Sequence, residues 1–302
     1  MTRSEYWSGL QSAPRWVMTV TGTYLCLGLV AFYVWSHAAP ALSMQTTPSD
    51  TEALSVIGMA AAQAWFCWQA LRSFQAGAPL RRAWSLILLS AAVHLVGGVL
   101  GYVPGAAPFV AQFLSLGTPD AARLEQIHQT SLVLTGPVQM ALLAAGLLAA
   151  LRVLHKFGFG ARPKAAGWAV AGILILFTLT RFGGAISLAR NLLLCVLSVE
   201  ALFLWLSAAR MGRGLIAKCW RAFAIGIFII GFGEAALWAL GSYFPSWLVA
   251  PIEWYVWFPA AAALALAPAY SVAAVRRATG ASTDLPVAAF PPLRQLVAEP
   301  RP

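Results

Sequence analysis

Eight apolar stretches separated by short basic segments divide this chain, and they constrain its fold more than any other feature. They lie at about 16–38, 52–72, 83–104, 128–151, 166–182, 191–209, 221–241 and 249–275. A transmembrane helix needs about 20 predominantly apolar residues, and each stretch comes close to or exceeds that length. The sequence therefore predicts an all-α, polytopic membrane protein with eight transmembrane helices.

Most of the positively charged residues lie on one side of this arrangement. When successive stretches alternate in direction, seventeen of the twenty Lys and Arg residues fall on the same side, and only Arg123, Arg181 and Arg190 fall on the other. Short loops that carry Lys and Arg stay in the cytoplasm. We therefore predict a multi-pass protein of a bacterial-type inner membrane with both termini cytoplasmic.

The composition suits lipid surroundings. Of the 302 residues, 60% are hydrophobic and 10% are charged, whereas about a quarter of the residues of a soluble domain are charged. The net charge of +10 sits in clusters between the apolar stretches, where it matches anionic lipid better than a DNA groove. We expect the lipid bilayer as a partner, leave membrane-protein partner subunits open, and expect no nucleic acid.

Two parts of the chain resemble each other at a nearly constant offset. Gln63-Ala-Trp-Phe-Cys-Trp68 is similar to Glu200-Ala-Leu-Phe-Leu-Trp205, and Arg82-Ala-Trp84 is similar to Arg221-Ala-Phe223. Because helices four spans apart run in the same direction, this repeat predicts two parallel four-helix halves. The predicted units are residues 1–151, residues 152–277 and a disordered cytoplasmic tail over 278–302. Chance similarity between two hairpins rich in Ala, Leu and Trp is the alternative.

A few polar side chains interrupt the apolar stretches. An ionisable group costs at least about 2.5–3.5 kcal/mol at the centre of a bilayer, so these groups should face the bundle interior. Counted at about 1.5 Å per residue from the nearest inner arginine, most of them reach a similar depth. They form the predicted central polar site, which comprises Gln63, His94, Gln139, Glu200 and Glu234.

Two interpretations of this site remain open. In the functional one, Glu200 and Glu234 are carboxylates that take up and release protons, and His94 is a base or a ligand. In the structural one, each residue is a neutral hydrogen-bonding group that ties helices together. No zinc, phosphate-loop or nucleophile-elbow motif occurs in the sequence, and no metal site is predicted.

The segment Gly97-Gly98-Val99-Leu100-Gly101-Tyr102, then Pro104, His128-Gln129-Thr130, Gly136 and Met140 resembles subunit I of the haem-copper oxidase superfamily, especially its nitric oxide reductase branch. In that family a Gly-rich helix end and a Pro-containing outer loop precede a helix that begins His-x-His. The resemblance covers about a third of the chain. It implies a respiratory-chain scaffold of four-helix units, with His128 as a haem ligand. Since the second histidine and the other metal ligands are absent, it also implies that the active metal centre is missing.

Three functions follow as alternatives. The first is an inner-membrane protein that has a mid-membrane polar site and accompanies a respiratory complex. The second is a proton-coupled transporter of a small solute that uses Glu200 and Glu234. The third is a membrane enzyme that acts on a lipophilic substrate. The sequence leaves open whether the protein is an enzyme and whether it binds haem.

Overall fold

The described part of the chain is entirely helical, as predicted. The computed structural model describes residues 14–23, 25–26, 48–74, 76–113, 121–160, 172, 185–240 and 246–278. Helix α1 comprises residues 14–23 and 25–26. The longer helices are α2 (Pro48–Arg72), α3 (Arg81–Phe113), α4 (Ala121–Lys156), α5 (Ala185–Arg210), α6 (Leu215–Leu240) and α7 (Ser246–Ala278). The predicted span 166–182, apart from Gly172, and the predicted tail beyond Ala278 lie outside these residues.

Four of the described helices are long and apolar enough to cross a membrane. Their qualifying segments are Arg81–Val99, Thr135–Lys156, Asn191–Arg210 and Phe258–Arg277. They coincide with the predicted third, fourth, sixth and eighth stretches.

The helices extend beyond the predicted spans. Helix α3 continues to Phe113, nine residues beyond the predicted third span, and α4 begins at Ala121, seven residues before the predicted fourth span. The segment after residue 104 is still apolar, and a helix satisfies the backbone hydrogen bonds of an apolar segment without help from water.

The six long helices form a closed ring. Neighbouring helices contact one another in the order α2–α3–α4–α5–α6–α7, and α7 returns to contact α2. Helices α2 to α6 each carry buried side chains toward the ring interior and one or more apolar side chains that are exposed on the outside, a pattern expected between a bundle core and lipid. The described side chains of α7 are almost all buried. The exposed apolar side chains of α2 to α6 include Trp65, Leu89, Val96, Val138, Leu148, Leu192, Val196, Trp205 and Ile225.

Glycines allow two pairs of helices to approach closely. A Cβ atom at Gly146 of α4 would lie 2.8 Å from the Ile87 side chain of α3, and one at Gly226 of α6 would lie 2.9 Å from the Leu264 side chain of α7. Both distances are shorter than real side chains tolerate. Small residues at such points are the usual means of close helix packing in membranes.

The ring has a basic end, at which α2, α4, α5 and α7 finish and α3 and α6 begin. Gly158 and Gly212 follow α4 and α5 there with φ values of 84° and 83°, the left-handed conformation that ends many helices. Arg81 donates to the Phe74 carbonyl at 2.9 Å and Arg221 to the Gly212 carbonyl at 2.8 Å. Other basic side chains at this end are Arg72, Arg82, Arg152, Lys156, Arg210, Arg213, Lys218, Arg276 and Arg277.

Candidate functional site

A cavity of about 70 Å³ lies inside the ring, and every ring helix except α2 contributes to its wall. Among the described residues that line it, the polar side chains are His94 of α3 and Gln139 of α4, and the others are leucine, isoleucine, methionine and alanine. One water needs about 10–15 Å³ by this measure, so the cavity holds about five waters or one small molecule.

The imidazole of His94 is not fully satisfied. Its Nδ1 atom is buried and has no hydrogen-bond partner among the described residues. Leaving a buried polar atom without a partner costs about 1–3 kcal/mol. In native proteins such an atom usually meets water, an ion or a ligand. The open space beside His94 meets other atoms of this residue, since Nδ1 itself has almost no accessible surface.

Packing between α3 and α4 brings His94 and Gln139 to the same wall. One turn before His94, the Ser90 hydroxyl donates to the Gln139 backbone carbonyl at 2.8 Å. One turn after His94, Gly97 lies against the Thr135 side chain, and no Cβ would fit at that position. These two contacts fix the relative height of the helices. The predicted association of His94 with Gln139 therefore has a clear structural origin.

Gln63 and Glu200 are buried but do not line this cavity. Glu200 lies one turn after Leu197, which does line it. Long helical side chains lean toward the N-terminus of their helix, and on α5 this direction leads toward Leu197. The Oε2 atom of Glu200 is buried without a hydrogen-bond partner in the described structure. Its role in a shared site with His94 remains a prediction.

For two further predicted residues the structure gives the position of the backbone only. Glu234 lies in α6 seven residues after the cavity residue Ile227, and His128 lies in the first half of α4. The side chains of Glu234 and His128 are outside the described residues. The predicted proton-binding role of Glu234 and the predicted haem role of His128 are therefore untested.

Three aromatic rings fill the ring interior between the cavity and the basic end. The centroids of Trp84 and Trp220 are 6.0 Å apart, those of Trp84 and Phe223 are also 6.0 Å apart, and those of Trp220 and Phe223 are 5.9 Å apart. All three side chains are completely buried. We call them the aromatic layer. The sequence analysis identified Trp84 and Phe223 only as equivalent positions of the internal repeat. That equivalence was the signal in the sequence from which their contact could have been predicted.

The cavity does not fit a haem. A cavity of about 150 Å³ accommodates benzene, and the space beside His94 is about 70 Å³, too small for a porphyrin. Among the described residues, no group of three or more His, Cys, Asp or Glu side chains is placed to hold a metal ion. The residues around His94 suit a much smaller ligand.

No family model matches this sequence, and neither a curated protein nor a solved structure matches it.

Proposed function

We propose that this protein is a multi-pass membrane protein that binds a small solute at the His94–Gln139 cavity and passes it across the bilayer. The observation that carries the proposal is a small cavity inside the helix ring whose described wall is apolar except for His94 and Gln139. A polar group in that position is expensive unless something occupies the space.

The membrane setting is supported by the distribution of charge and apolar surface. Four helices are apolar enough to span a bilayer, and the outer face of the ring carries tryptophan, leucine and valine side chains. Since Lys and Arg favour the cytoplasmic side, we place the basic end in the cytoplasm of a bacterial-type cell. The proposed topology has eight spans, of which α1 is the first and residues 166–182 are the fifth.

Two similar halves would explain the order of helices in the ring. Helices α2, α3 and α4 are consecutive in the ring, and so are α5, α6 and α7. A rotation of the ring by 180° about its central axis would therefore exchange the two sets of helices. The repeat offset relates Trp84 to Phe223, which are in contact across the interior. It also relates Ile87 to Gly226, each of which lies at a close helix contact in its own half.

The depth of the cavity favours transport. His94 lies thirteen residues after Arg81, and Leu143 lies thirteen before Lys156, which puts both about 20 Å from the basic end at about 1.5 Å per residue. The hydrocarbon core of a bilayer is about 30 Å thick, so the cavity lies well inside it. Transporters built from repeats bind their substrates near the midplane, between the repeats.

A proton-coupled form of this function is the second candidate, and Glu200 favours it. A carboxyl group with an unpartnered buried oxygen one turn from a cavity residue suits reversible proton binding better than a structural role. Association with a respiratory complex and catalysis on a lipophilic substrate remain predictions that no described residue supports or opposes.

Thiol oxidation in proteoliposomes tests the proposed function. In a variant whose native cysteines are replaced by alanine, Leu143→Cys places a thiol on the cavity wall, and Leu148→Cys places one on the outer face of the same helix. We expect hydrogen peroxide, which is small enough for the cavity, to oxidise position 143 much faster, because thiols react as thiolates and these require a polar surrounding. Equal, slow modification of both positions would refute a solute-accessible site.

A further inference from the structure

We infer that the solute of this cavity is a small, uncharged molecule that can both donate and accept hydrogen bonds, of the size of formamide. This inference rests on the proposed function and specifies its substrate class. Three properties of the cavity lead to it: the volume, the absence of charge among the described wall residues, and the two polar side chains on one side.

The volume sets an upper limit on size. The cavity of about 70 Å³ is less than half of the about 150 Å³ that holds benzene. Leu143, Leu197 and Leu264 from three different helices form its walls, and each is buried against neighbouring helices. Because a close-packed protein interior has low compressibility, a larger solute would have to force these helices apart.

The described part of the wall carries no charged side chain. Asp, Glu, Lys and Arg are absent from the described residues that line the cavity. An ion that entered would lose its hydration without gaining a counter-charge from them, at a cost that rises steeply in a medium of low polarity. A neutral guest is the one that this part of the wall can solvate.

The two polar side chains suit a solute that can both donate and accept hydrogen bonds. The primary amide of Gln139 and a neutral imidazole at His94 each carry a donor and an acceptor. Because Ser90 ties the two helices together at the Gln139 carbonyl, both residues line the cavity from one side. A purely apolar guest would offer neither side chain a hydrogen-bond partner.

Binding to the wild-type protein tests this inference directly. The chain has four histidines, so ¹⁵N-histidine NMR in detergent gives few signals, and His94→Gln identifies that of His94. We expect formamide to shift the His94 signal saturably and to leave the other histidines unchanged. Formate, which has nearly the same shape and a negative charge, and benzamide, which is neutral and much larger, should not shift it.

Variants at two neighbouring positions distinguish an effect on the binding site from a general effect on the protein. Gln139→Leu removes one hydrogen-bonding group from the wall and should weaken formamide binding by a factor of about 3–10, the equivalent of one neutral hydrogen bond. Val138→Leu changes the adjacent, outward-facing side chain, which is half exposed, and should leave the affinity unaltered. The probe series on the wild-type protein decides the question even if Gln139→Leu fails to fold.

The possible results distinguish the substrate class from the proposed function. If formate or benzamide binds as well as formamide, or if formamide fails to bind while Leu143→Cys is still modified rapidly, the inferred solute class is wrong and the site stands. If neither formamide binding nor modification at position 143 occurs, both proposals fail.

Discussion

The indole of Trp84 and the phenyl ring of Phe223 lie 6.0 Å apart, although α3 and α6 are not neighbours in the helix ring. Each of these two aromatic side chains therefore reaches across the interior of the helix ring. Together with Trp220 they close the space between the cavity and the basic end. In the proposed transporter this layer is the cytoplasmic barrier, and it has to move whenever solute passes.

Removing one ring of the aromatic layer should weaken the fold and open the barrier. We expect Phe223→Ala to lower the free energy of unfolding by about 3–5 kcal/mol, the range for buried Phe-to-Ala changes, as measured by denaturant titration in detergent. Oxidation of Leu143→Cys by hydrogen peroxide should then become faster. Trp205→Ala, on the exposed outer face of α5, is the control and should change neither quantity appreciably. An unchanged oxidation rate at position 143 in Phe223→Ala would show that the layer is not the barrier.

Two glycines of α4 should respond in opposite directions to alanine. A Cβ at Gly146 would meet Ile87 at 2.8 Å and the Ala83 carbonyl oxygen at 3.2 Å, so Gly146→Ala should destabilise the protein by about 1–3 kcal/mol through overpacking. A Cβ at Gly136 meets nothing within 4 Å. Gly136→Ala should therefore stabilise the protein by up to about 1 kcal/mol, since alanine is the better helix former. Thermal unfolding of both variants in the same detergent measures the difference, and equal effects would argue against the α3–α4 contact.

Neutralising Glu200 should separate proton coupling from solute binding. Glu200→Gln keeps the shape of the side chain and removes its acidity, so proton-driven formamide uptake into proteoliposomes should lose its response to an imposed pH gradient. Formamide binding at His94 should persist, because Glu200 does not line the cavity. Gln63→Leu serves as the control for a change at another buried polar position. If uptake by Glu200→Gln keeps its full response to the gradient, Glu200 is not the coupling residue.

The topology can be tested with two engineered cysteines in loops at the basic end. Ala76 and Arg213 are exposed and belong to the loops that join α2 to α3 and α5 to α6. In a variant without native cysteines, Ala76→Cys and Arg213→Cys should both be modified by an impermeant maleimide in inverted membrane vesicles, and neither in intact spheroplasts. Modification of the two positions from opposite sides would overturn the proposed number and direction of the spans.

The helices were the part of this protein that periodicity and hydropathy could predict. Apolar runs bounded by arginines located α2 to α7, because a segment without water must satisfy its own backbone hydrogen bonds. The boundaries were less predictable. Helix α3 runs on to Phe113, past the predicted end of the third span at residue 104, since local composition does not reveal where packing still supports a helix.

The candidate site was predicted only in part. Polarity within apolar stretches marked His94 and Gln139, and the structure places both on one cavity wall. The same criterion marked Gln63 and Glu200 equally strongly, and they are buried away from that wall. Depth along a helix can be counted from the sequence, whereas the direction in which each side chain faces within the ring depends on how the helix is rotated against its neighbours.

The amino-acid sequence by itself determined that this chain is helical, apolar and basic at one set of loops, because these properties depend on composition and on the spacing of residues along one helix. Only the tertiary structure decided that six helices close into a ring, that Trp84, Trp220 and Phe223 fill its interior and that a small cavity remains beside His94. Those features arise from contacts between residues far apart in the chain, where side-chain volume and glycine positions fix which helices approach and where space is left.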